Sequence, residues 1–152
     1  PGRLDATVGG HFRAGETLAE TLRETQEEIG VAVTLDGLRF LGAHVCANEC
    51  EPGIVDRELQ DVYLLRSDEP LTAYRPDPVE LAALVRLSIG TVLALFAGET
   101  FAVRGESLLP GAGSIQPESI GLDDFIPNVD RYFYRVAIAA ELVLAGARHA
   151  AV

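Results

Sequence analysis

Apolar positions recur at helical spacing over residues 18–29. At roughly 100° per residue, Leu18, Leu22, Thr25 and Ile29 lie within about 60° of one another, while Glu20, Glu24, Glu27 and Glu28 spread over about 100° on the opposite side. The ends carry their own signals. Thr17 and Glu20 form a T-x-x-E capping box. Gly30 follows the last periodic apolar residue and suits a left-handed C-terminal cap. The pattern predicts a helix at about Leu18 to Ile29, with its apolar stripe on a sheet and its carboxylates pointing away from the core.

The rest of the chain reads as alternating strands and helices. Leu4 to Val8 alternates apolar and polar residues and predicts a strand leading into the glycine-rich segment Gly9 to Gly15. Val31 to Thr34 and Leu38 to Cys46 are strand-like, interrupted by the turn dipeptide Asp36-Gly37. Asn48 to Asp56, with Pro52-Gly53, predicts a hairpin loop, and Glu58 to Arg66 its second strand. Ser67 to Pro78 holds three prolines and predicts a loop. Glu80 to Leu87 leads into a last strand around Leu84 to Leu87, and Ser88 caps a short apolar helix ending at Gly98. Phe101 to Glu118 is rich in Gly, Ser and Pro and predicts a long loop. A final helix begins at about Asn128 or Asp130 and carries Phe133, Val136, Ala137, Ala140, Val143 and Leu144 at helical spacing. The class is α/β, and residues 1–152 fit one domain.

Charge narrows the partners. A net charge of −11 argues against a general nucleic-acid or anionic-membrane binder, because phosphate backbones need basic patches. It leaves room for a small nucleotide or diphosphate substrate whose charge a metal neutralises. No stretch approaches the ~20 apolar residues of a membrane span, and no secretory signal is read. A cytoplasmic location is the expectation, and a homodimer is compatible with it. Cys46 and Cys50 form C-x3-C without a second pair, which reads as two free thiols, since a metal site needs more ligands.

The helix itself poses a chemical question. Glu20/Glu24, Glu24/Glu27 and Glu24/Glu28 are like-charge pairs at i,i+3 or i,i+4, each costing roughly 0.2–0.5 kcal/mol. The chain has no lysine to relieve them, and Arg23 is the sole base in the helix. A solvated acidic face is one reading. The other is a divalent cation, which turns repulsion into coordination beside a glycine-bracketed loop that lets backbone approach a ligand.

The segment resembles the signature box of the Nudix hydrolases: Gly, five residues, Glu, seven residues, then Arg-Glu-apolar-x-Glu-Glu-x-Gly-apolar. Gly10, Glu16, Arg23-Glu24, Glu27-Glu28, Gly30 and Val31 match its fixed positions. Six residues, Thr17 to Leu22, stand where the family has seven, and Thr25 occupies a usually apolar position. The resemblance implies a Nudix fold, an α/β/α sandwich around a mixed β-sheet. Because strands normally precede the box and this chain begins at Pro1, it also implies that amino-terminal strands are missing and an unpaired sheet edge is exposed.

The same resemblance implies a metal-dependent pyrophosphohydrolase that cleaves a diphosphate linkage in a nucleoside diphosphate derivative or related organic pyrophosphate. Glu24, Glu27 and Glu28, with the Gly9 carbonyl, are the implied ligands of Mg²⁺ or Mn²⁺. Glu24 or Glu27 orients or deprotonates the water. Arg23 ties to Glu16 and orients the ligand face. Arg13, Gly10 and His11 are the implied substrate contacts, and Glu80 is an alternative base. Flanking segments, Gly9-Gly10-His11, Asp56 to Leu64 and Asp124-Phe125-Ile126-Pro127, look like bacterial Nudix proteins related to isopentenyl-diphosphate isomerase. An isomerase is therefore one alternative, although Ala6 to His11 holds no cysteine and Gln60 stands beside Glu58 where a second carboxylate is wanted. A catalytically silent nucleotide-binding sensor is the other, kept open by the shortened junction.

Overall fold

The computed structural model describes residues 2–51, 54–127 and 130–152, with the side chains of 47–51 and 54–56 outside that description. The predicted helix forms as two consecutive pieces, α1 (Leu18–Thr21) and α2 (Arg23–Ile29). Leu22 between them keeps right-handed helical angles, φ −61° and ψ −12°, and its N–H bonds the Leu18 carbonyl at 3.0 Å. The helical phase therefore carries across the junction. The local tightening has a cause in Thr25, whose N–H reaches the Leu22 carbonyl at 3.2 Å and whose hydroxyl donates to the Leu22 and Val31 carbonyls at 2.7 and 2.8 Å. At the start, Glu20 accepts the Thr17 N–H and hydroxyl at 2.8 and 2.7 Å, while the Glu20 N–H goes to the Thr17 carbonyl.

The C-terminal end is held from outside. Gly30 is left-handed, φ 75°, and a Cβ there would stand 2.7 Å from Arg75 Cβ. Arg75 N–H and Asp77 N–H bond the Ile29 and Glu28 carbonyls, each at 2.8 Å. The proline-rich loop thus supplies donors that the helix end lacks. It also contains a 3₁₀ turn at Leu71–Ala73 that buries Leu71.

The two longest strands are β1 (Leu38–Glu51) and β2 (Ile54–Leu65), paired antiparallel from Leu38–Leu65 to Glu51–Ile54. A bulge between Phe40 and Gly42 sets Leu41 into the core, 2 % exposed. Both strands run further than the predicted hairpin loop at Asn48 to Asp56 allowed, and Pro52-Gly53 lies outside the described residues. The stretch 31–34 is not a strand; a 3₁₀ turn at Leu35–Gly37 follows it directly. Cys46 is half-buried on β1 opposite Glu58, whereas the side chain of Cys50 falls outside the description.

A second antiparallel sheet has the order β3 (Leu84–Arg86), β4 (Ala102–Leu108), β5 (Ile115–Gly121). β4 and β5 correct the expectation of a long loop over Phe101 to Glu118, and β3 is not the last strand. Val103, Gly105, Ser107 and Leu108 of β4 are buried, so the alternation is present beneath a loop-like composition. Pro117 sits on β5, an outer strand, where a missing N–H is tolerated. Between β3 and β4 comes α3 (Ile89–Ala97), capped by Ser88 Oγ accepting the Thr91 N–H at 3.2 Å and ended by a left-handed Gly98. The last helix is α4 (Tyr132–Leu144), starting later than expected; Asn128 lies outside the described residues.

The molecule is mixed α/β with two antiparallel sheets, compatible with a Nudix fold. The mixed sheet expected from the resemblance differs in detail. Among the described residues its parallel component is one bridge, Leu4 to Phe125, fastened by Leu4 N–H to Asp124 O at 2.7 Å and Ile126 N–H to Leu4 O at 3.0 Å. The rest of the predicted strand Leu4 to Val8 is irregular.

Three buried clusters hold these parts. Ile29, Leu71, Leu84 and Leu108 join α2 to the second sheet. Leu95, Val103, Ile120 and Phe125 seat α3, with Phe133 of α4 against them. Leu41, Val62 and Ala139 join the long hairpin to α4. Between the clusters lies a cavity of about 800 Å³, lined among others by Leu22, Val62, Leu64, Leu84, Leu87 and Val136. No described helix is long and apolar enough to cross a membrane.

Candidate active site

A cleft of about 520 Å³ opens where the glycine loop meets α2. Gly9, Gly10, His11, Phe12 and Arg13 line one side, Glu24, Glu27 and Glu28 another, and Asp77 and Glu80 complete it. The loop reaches the helix because Gly10 is small: a Cβ there would meet Thr21 Cγ2 at 3.2 Å and Glu24 Cγ at 3.4 Å. Seven of the residues singled out as ligands or substrate contacts, together with Glu80, therefore share one cleft.

Glu16 and Arg23 stand behind it as a brace. Arg23 Nη1 meets Glu16 Oε1 at 2.5 Å, Nη2 meets Glu24 Oε1 at 2.9 Å, and Nε lies 3.8 Å from Glu27 Oε1. The Arg23 guanidinium also donates to the Glu20 carbonyl at 3.1 Å. Glu16 Oε2 accepts the Arg13 N–H at 2.9 Å, and the Glu16 N–H returns to the Arg13 carbonyl. The Arg13 N–H and then the Arg23 guanidinium hold the Glu16 carboxyl below its ordinary value. The six residues Thr17 to Leu22 form the N-cap, α1 and the linking Leu22, and Glu24 lines the cleft together with Glu27 and Glu28.

Glu28 is the strained member. Partial burial, then the charges of Glu24, Glu80 and Glu27, push its carboxyl above the ordinary value. The repulsion read from the sequence is thus present in three dimensions, with Glu80 added from another segment. Among the described residues, however, no group of three His, Cys, Asp or Glu side chains is arranged as a ready-made metal site. The carboxylates share a cleft without closing into a cage. All its acidic groups offer hard oxygen donors, which suit Mg²⁺ or Mn²⁺.

Asp77 went unread in the sequence. It arrives because its N–H caps the Glu28 carbonyl and its Oδ1 accepts the Val79 N–H at 2.8 Å. Asp-Pro within a proline-rich loop signals a turn, with no hint of what that turn docks against.

His11 is exposed, and its Nε2 lies 3.3 Å from Glu58 Oε1. Gln60 Nε2 donates to Glu58 Oε2 at 2.7 Å. Gln60, then His11, hold the Glu58 carboxyl below its ordinary value. Arg13 is exposed at the cleft with its backbone committed to Glu16.

No family model matches the chain, and no solved structure matches it. Among curated proteins, an uncharacterized Nudix hydrolase of Clostridium acetobutylicum is 23% identical over 148 residues, 92% of this chain and 68% of the relative.

Proposed function

We propose that the chain is a Nudix-type, metal-dependent hydrolase of a diphosphate linkage in a nucleoside diphosphate derivative or related organic pyrophosphate, a reading supported by its similarity to a Nudix hydrolase. The observation that carries this reading is the cleft itself, in which Glu24, Glu27, Glu28 and Glu80 face the Gly9 to Arg13 loop.

Glu24, Glu27 and Glu28, with the Gly9 carbonyl, would hold Mg²⁺ or Mn²⁺. The metal would offset phosphate charge and acidify a bound water. Arg23 keeps Glu24 in its cleft-facing position and, through Glu16, ties α2 to the glycine loop. Arg13 supplies a cation for phosphate at the cleft wall. Glu24 or Glu27 serves as the base for the attacking water, and Glu80, which lines the same cleft, is the alternative. Small-molecule substrates and a cytoplasmic setting complete the reading.

A silent nucleotide-binding domain is the second reading, favoured by one observation: among the described residues the carboxylates form no compact ligand set. A phosphate-release screen across nucleoside diphosphate derivatives and isoprenoid diphosphates, with Mg²⁺ and then Mn²⁺, separates the two. Metal-dependent release supports the hydrolase. Nucleotide binding without release supports the silent domain, and interconversion of isoprenoid diphosphates identifies an isomerase instead.

A further inference from the structure

A continuous chain of hydrogen bonds runs from the start of α4 through the long hairpin to the cleft. His44 on β1 is 5 % exposed. Its Nε2 lies 2.9 Å from Asp130 Oδ2 and its Nδ1 lies 3.1 Å from Gln60 Oε1. Its ring stacks on Tyr132, with centroids 4.6 Å apart.

The direction of each bond follows from its neighbour. A carboxylate accepts, so Gln60 must turn its NH₂ toward Glu58 and its oxygen toward His44. His44 Nδ1 therefore carries a proton. Asp130 Oδ2 already accepts Arg135 Nη1 at 3.1 Å, so it too is an acceptor, and His44 Nε2 must also donate. Both ring nitrogens are protonated in this arrangement.

We infer that His44 is a buried imidazolium and a positioning residue, which through Gln60 and Glu58 fixes the ring of His11 at the cleft wall. The charges along the line balance: Arg135 and His44 are positive, Asp130 and Glu58 negative. Tyr132, stacked on the imidazole, is held protonated by burial and by Asp5 nearby. Only the last link, at His11, rests on the cleft being the ligand site; the charge of His44 can be read with no substrate present.

The test is nitrogen NMR of the full chain with labelled histidine at neutral pH, without metal, the three histidines being assigned with His149→Gln and His11→Gln. Both ring nitrogens of His44 are expected at protonated positions. In Asp130→Asn the new amide can donate to Nε2, so the His44 Nε2 signal should move to the unprotonated position while amide dispersion is kept. In Gln60→Met the His11 Nε2 signal should shift although the substitution lies outside the cleft. An unprotonated nitrogen on His44 in the unmodified protein overturns the imidazolium, and it does so even if Asp130→Asn fails to fold. His11 signals unmoved in Gln60→Met overturn the positioning role. Absence of phosphate release in the substrate screen would count against the hydrolase and leave these spectra to be judged separately.

Discussion

Arg23 binds Glu16 at 2.5 Å across a segment one residue shorter than the family pattern allows. Thr17 to Leu22 supplies the N-cap, the whole of α1 and the linking Leu22, so the bond closes over that short helix. Arg23 is then free to spread its three nitrogens over Glu16, Glu24 and Glu27. Lysine offers a single point charge and cannot reproduce that fork. Arg23→Lys should lower kcat/KM for whichever diphosphate is turned over by about ten-fold or more, with little change in thermal midpoint. An unchanged kcat/KM would mean the brace does not orient the cleft.

Glu27 is the most exposed of the three glutamate side chains that Arg23 contacts, with 63 % of its side chain open to solvent against 10 % for Glu16 and 27 % for Glu24. It is therefore the carboxylate least occupied with structural work. Glu27→Gln should reduce turnover by about two orders of magnitude while leaving the fold intact, because it removes a charge where charge develops. Near-full metal-dependent activity in Glu27→Gln would remove it from the ligand set.

Glu28 and Glu16 are displaced in opposite directions from the ordinary glutamate value of 4.5. The raised Glu28 binds its proton more tightly in the folded protein. Its contribution to stability is present on the acid side and is lost as pH rises through its folded value. The lowered Glu16 contributes above the ordinary value, and that contribution is lost as pH falls through its folded value. Metal-free thermal midpoints should therefore decline on both sides. Glu28→Gln should flatten only the decline that sets in above the ordinary glutamate value and raise the metal-free midpoint near neutrality. Millimolar Mg²⁺ or Mn²⁺ should raise the midpoint of the unmodified protein and affect Glu28→Gln less. A midpoint indifferent to both metals would count against a cation in this cleft.

Thr25 replaces a usually apolar residue and spends its hydroxyl on the Leu22 and Val31 carbonyls. Thr25→Val keeps the shape and removes the donor. It should cost about 1 kcal/mol in denaturant unfolding and make the α1–α2 junction more regular. No loss of stability would show that the two carbonyls find other partners.

The parts legible from sequence were those whose signals are local. Thr17, Glu20 and Gly30 delimit the acidic helix within a dozen residues, and Ser88 with Gly98 does the same for α3. The Arg23–Glu16 pair followed from the resemblance to the Nudix box and not from local spacing, since all of α1 lies between them. The hairpin β4–β5 was hidden because Gly105, Gly111, Pro110 and Pro117 look like a loop until β3 and β4 are paired. The run 31–34 misled in the other direction: it is apolar, but among the described residues no strand pairs with it. Asp77 and the His44–Asp130 contact depend on segments meeting from 49 and 86 positions apart, as the bonds Asp77 N–H to Glu28 O and His44 to Asp130 record. Such meetings leave no periodic trace.

The position of α4 has a consequence for how the molecule opens. Phe133 packs into the cluster around Ile120, whereas Val136 and Val143 pack into the one around Val62. The two sheets share no ladder, so their backbone amides would open as separate units if the helix did not touch both. With α4 seated, neither sheet gains the freedom to exchange alone. A change that frays α4, such as Ala139→Gly at a position 1 % exposed, should speed deuterium uptake at Val62 and Ile120 together, though the two amides lie in different sheets.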